Sequence, residues 1–142
     1  MRPVLAIIVS TFIFLFCWLL IAGLLALMLW VAVKTEHAST LFLLFHAVVI
    51  WILSPAVGAA LAIFATASSF RTVAPSTIFV GFISVLAVLL FGLVVLGAAS
   101  SMDDELPNHH LVVMFFQIVA IFLGARIGRF FAEVRRIREA PP

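Results

Sequence analysis

"VLAIIVSTFIFLFCWLLIAGLLALMLWVAV", residues 4–33, contains no Asp, Glu, Lys or Arg. A helix needs only ~20 such residues to cross ~30 Å of hydrocarbon, so this stretch decides the fold class. At ~1.5 Å per residue it would reach ~45 Å and must tilt or protrude. Arg2 precedes it, as a basic residue precedes a secretory leader, but the apolar region of a leader runs only ~7–15 residues. A retained transmembrane helix is expected.

The pattern recurs three times. No charged residue occurs between Glu36 and Arg71, between Arg71 and Asp103, or between Glu105 and Arg126. Over all 142 residues, 66% are hydrophobic and 10% charged, with a mean hydropathy of +1.37. A water-soluble domain carries roughly 25% charged residues, so this chain has too little polar material to cover a water-facing surface. Open sheet edges leave backbone groups unpaired in lipid, and these runs are too long for barrel strands. The expectation is an all-α integral membrane protein, one transmembrane domain over residues 1–142. Its helices fall at about 4–33, 40–67, 76–99 and 111–131, the last continuing to about 139.

Start signals agree with the apolar runs. Pro3, Pro75 and Pro107 stand at or just before helix starts, where a missing N–H loses no hydrogen bond. Ser39 or Thr40 can cap the second helix. The links "KTEHAS", "SSFRTVA" and "SSMDDELPNHH" are short, which favours antiparallel neighbours in an up-down-up-down four-helix bundle.

Orientation follows from the cations. Arg2, Arg71, Arg126, Arg129, Arg135, Arg136 and Arg138 collect on one side, and Lys34 stands alone on the other. By the positive-inside rule both termini are expected in the cytoplasm, with a bacterial inner membrane the natural setting. The basic pI of about 9.5 belongs to this flank, so nucleic-acid binding is not expected. The single cysteine, Cys17, rules out an intrachain disulfide.

His46 is an ionisable group inside a span, about six residues into helix two. Such residues usually face the bundle interior or a wet cavity. The plain reading is a hydrogen bond to a neighbouring helix. A haem b held by two histidines needs ligands at one depth. The candidate partners, His109 and His110, stand at the mouth of helix four, so a haem ligand would have to come from another chain. Quinone contact and proton relay are further readings of His46.

Ala47, Ser54, Gly58, Ala62 and Ala65 share one stripe of helix two, with His46 at its border. Pro55 cannot bond the Trp51 carbonyl, so a kink is expected there, with the Ser54 hydroxyl taking a freed carbonyl. The kink reads as a static feature in preference to a transporter hinge. Gly124 and Gly128 form a G-x-x-x-G packing face. Asp103, Asp104, Glu105, His109 and His110 could hold a divalent metal, with Glu36 or His37 added from the other loop on that side.

Past helix four, Ile127, Phe130, Phe131, Val134 and Ile137 alternate at helical spacing with the arginines, and Glu133 can pair with Arg129. This basic amphipathic extension suits anionic lipid or an acidic partner surface, through Arg126, Arg129, Arg135, Arg136 and Arg138. No nucleophile–base set, Cys-x-x-Cys, H-E-x-x-H or phosphate loop occurs. The expected role is a non-catalytic accessory, assembly or scaffolding subunit of a larger membrane complex, with no cofactor of its own. Its partners would be lipid and other subunits or further copies of itself. The alternatives are a haem- or quinone-linked anchor using His46, and a transport or metal-handling component using the His/acidic face.

Overall fold

A computed structural model describes residues 1–34, 39–100 and 108–139, without the side chains of 40, 41, 44, 47, 93–100 and 108–111. The described residues are helical throughout apart from the cap and turn segments. They form α1 (Arg2–Lys34), α2 (Thr40–Val48), a π-helical turn (Val49–Leu53), α3 (Ser54–Ser69), α4 (Pro75–Ser100) and α5 (Asn108–Glu139). Since α2, the π turn and α3 are continuous, four helices result, each with a segment long and apolar enough to cross a membrane.

The boundaries have local causes. The Ser39 side chain accepts the Phe42 N–H at 3.2 Å and caps α2. α4 begins on Pro75 itself, one residue before the expected Ser76, because proline at a first helical position loses no bond. α5 reaches back to Asn108, before the expected start at 111, and runs 32 residues without interruption to Glu139. α1 spans 33 residues, roughly 50 Å at ~1.5 Å per residue.

Helix two departs from a simple proline kink. The Ser54 N–H donates to the Val49 carbonyl, five residues back, so the chain widens by one residue ahead of Pro55. In that wider register the carbonyl left without a donor is the one Pro55 would have taken, at Ile50. The Ser54 hydroxyl donates to that carbonyl. The conflict between proline and the α ladder is thus resolved by a π turn, a recognised cause of helix irregularity.

α3 is the hub. It packs on α5 along one side and on α1 along the other, while α4 touches α1, α3 and α5. On the α5 side, Gly124 lies against the backbone of Ala56 and Gly128 against that of Ala60. A Cβ at Gly124 would come within 2.7 Å of the Ala56 carbonyl carbon. Only glycine permits this approach, which brings helix backbones into van der Waals contact. On the α1 side, Gly58 faces Phe14 and the Trp18 backbone.

Among the described residues the core lies at one end of the bundle. Phe14 stacks on Trp18 (centroids 5.5 Å apart) and meets Phe82 edge-on at 5.4 Å. Around them sit Ala6, Ala59, Ala62, Ile63, Ile78, Ile121 and Ala125. Every buried described residue lies within 6–14, 54–86 or 120–132. No described residue from 15 to 53 or from 87 to 119 is buried. The packed end carries the α3–α4 turn; the other end, where no described residue is buried, is termed the open end.

Candidate functional site

Two regions hold the polar chemistry. At the packed end, α3 closes on Phe70, whose N–H reaches the Thr66 carbonyl at 2.8 Å. A turn bonded from the Val73 N–H to the Phe70 carbonyl (3.0 Å) leads into α4. Carbonyls at a helix C-terminus lack intrahelical donors and carry partial negative charge. Arg136 of α5 supplies both donor and charge: its Nη2 lies 2.6 Å from the Val73 oxygen, 3.1 Å from that of Ala67 and 3.3 Å from that of Phe70.

Arg136, one of the arginines expected at a lipid or partner surface, staples α5 to the α3–α4 turn through Nη2. Sequence gave no signal for this, since snorkelling and capping use the same side chain. Arg135 projects nearby, its Nε donating to Glu139 Oε1 at 2.7 Å and its Nη1 reaching the Ser68 hydroxyl at 3.3 Å. Arg71 closes on the other Glu139 oxygen at 3.2 Å. A cleft of about 170 Å³ is lined by Ser68, Arg71, Arg135, Arg136 and Glu139. Arg129 pairs with Glu133 at 2.7 Å and lies over the Phe79 ring, 5.8 Å from its centroid. Arg126 and Arg138 are exposed.

Toward the open end, His46 is half-buried and packs on Phe42, 4.1 Å between ring centroids. Its Nδ1 lies 3.2 Å from the Phe42 carbonyl. Among the described residues the bond thus returns to its own helix, in place of the expected bond to a neighbour. A carbonyl only accepts, so Nδ1 carries the proton in this bond, and Nε2 has no partner among the described residues. Gln117 is the second such group. It is half-buried on α5, and no hydrogen-bond partner for it occurs among the described residues.

Of the expected packing residues, Gly124 and Gly128 meet Ala56 and Ala60, Gly58 meets α1, and Ser54 bonds within helix two. The face of α3 that receives α5 is therefore Ala56 and Ala60, beside the expected stripe. An A-x-x-x-A spacing was its signal. Asp103, Asp104, Glu105, Glu36 and His37 lie outside the described residues, as do the side chains of His109 and His110. Among the described residues no group of three or more His, Cys, Asp or Glu comes together.

Comparison of the chain with protein-family models, with curated proteins and with solved structures finds no match.

Proposed function

We propose that this protein is a non-catalytic subunit, of assembly or scaffolding type, in a larger inner-membrane complex. Its open end receives another membrane polypeptide. The observation that carries the reading is Gln117, a half-buried amide in an apolar span with no partner among the described residues. An unpaired amide is costly in hydrocarbon, and glutamine is one of the side chains that bond across transmembrane helices.

Gln117 precedes Gly124 by two helical turns, as Val49 precedes Ala56. The seam register therefore sets Gln117 level with the π turn, which α5 touches. His46 lies a turn further toward the open end, with Nε2 unused. A helix from another chain would meet both groups on apolar surface that the described residues leave exposed.

The matched pairs Ala56–Gly124 and Ala60–Gly128, with Arg136 at the end of α3, support helices two and four running the same way. That is the relation of an up-down-up-down bundle. The cationic excess at the packed end supports placing that end, and both termini, in the cytoplasm.

Mild extraction of the tagged chain from its native membrane tests the reading. A second polypeptide in fixed ratio, lost on Gln117→Leu, is the expected result. A chain recovered alone, with the variant behaving identically, overturns it.

A further inference from the structure

The two oxygens of Glu139 each meet a different guanidinium, Oε1 that of Arg135 and Oε2 that of Arg71. This is how an anion with two adjacent oxygens is bound, and the group filling the position comes from the chain itself. The Glu139 and Arg71 side chains are 40% and 70% exposed, so these pairs stand in water and hold the carboxylate weakly. Ser68 lines the same cleft, its hydroxyl donating to the Phe64 carbonyl at 2.8 Å and accepting from Arg135, so it helps to place the Arg135 guanidinium.

What surrounds the cleft selects the occupant. Ser68, Phe64, Leu61 and Val57 share one face of α3, and Arg135, Phe131 and Ile127 one face of α5. The Arg135 guanidinium lies 5.9 Å from the Phe64 ring centroid, where polar cleft gives way to apolar helix. Leu61, Val57, Phe131 and Ile127 are exposed, so this apolar strip continues along the span from the cleft. A polar, cationic pocket opening onto an apolar strip suits a phosphate that carries acyl chains.

We propose that Arg71 and Arg135 form a binding site for the phosphate of an anionic membrane lipid, and that Glu139 is its internal competitor. The proposal rests on the reading that the packed end lies at a membrane surface. Arg136 lines the cleft but is left out of the site, since its Nη2 is committed to the α3–α4 turn carbonyls. When lipid enters, its phosphate oxygens replace the carboxylate between the two guanidiniums, and Glu139 turns to water.

Native mass spectrometry of the full chain in detergent, titrated with phosphatidylglycerol, phosphatidylcholine or free glycerol phosphate, tests this. One phosphatidylglycerol should be retained in preference to phosphatidylcholine. Arg71→Gln and Arg135→Gln should each weaken it about tenfold, as loss of a charge-assisted hydrogen bond does. Glu139→Gln should tighten binding several-fold, a gain that misfolding cannot produce. Arg138→Gln should stay within twofold.

Equal weakening by Arg138→Gln overturns the site while leaving the wider reading of a lipid-facing basic end. No preference for phosphatidylglycerol overturns both. Unchanged or weaker binding in Glu139→Gln overturns the competitor role. Tight binding of glycerol phosphate alone assigns the site to a soluble phosphate and overturns the lipid assignment.

Discussion

Replacing Gly124 by alanine adds one methyl group where α5 crosses α3, and its effect follows from the seam geometry. The new Cβ would stand 2.7 Å from the Ala56 carbonyl carbon and 2.8 Å from its Cα, where ordinary contact begins at 3.4 Å. The obstacle is backbone, with the Ala56 carbonyl oxygen nearer still, and it cannot rotate aside, so α5 must retreat by more than an ångström. Overpacking of this kind costs ~1–3 kcal/mol. Alanine recovers up to about 1 kcal/mol through its better helix propensity, so a full recovery leaves a net loss of ~0–2 kcal/mol. The other glycines provide an internal scale. Gly23 and Gly92 have nothing within 4 Å, so alanine there should be neutral or stabilising. Gly58 meets its neighbours at 3.4–3.5 Å and should fall between. Unfolding in mixed dodecyl sulfate micelles, followed by tryptophan fluorescence, measures the series. A Gly124→Ala protein as stable as Gly23→Ala would refute the backbone-to-backbone seam.

The remaining perturbations probe other joints. Ser54→Ala should cost ~1–3 kcal/mol by stranding the Ile50 carbonyl. In a Pro55→Ala background the restored N–H supplies a donor and most of that cost should vanish, which a double-mutant cycle reads as coupling. Arg136→Gln should speed hydrogen exchange in the α3–α4 turn, with Arg136→Lys restoring only part of the protection, because a point charge cannot reproduce a planar donor fork. Gln117→Leu should leave the unfolding midpoint of the isolated chain unchanged or raised, since it removes an unpaired amide without opening a cavity.

Sequence and structure agree most closely where one physical signal dominates. Charge-free runs bounded by prolines and polar links have a single low-energy form in lipid, so four helices were legible before any coordinates. The π turn was not, because a proline inside a helix can be accommodated by a bend or by a register shift. The choice here is bound up with Ser54 reaching the Ile50 carbonyl. The partner face of Gly124 and Gly128 was hidden for a related reason. Helix two is rich in small residues on several sides, and spacing alone could not say that Ala56 and Ala60 take α5 while Gly58 takes α1. Arg136 shows a limit of a different kind: a cation at a helix end has several equally good carbonyls and phosphates within reach, and only the neighbouring turn decides among them.

The claim that the open end receives another chain is tested most directly by placing a photo-crosslinking amino acid at position 117 and illuminating intact native membranes. The expected product is an adduct whose mass includes a second polypeptide, whether another subunit or a further copy. An adduct with lipid alone, at full crosslinking yield, would contradict it.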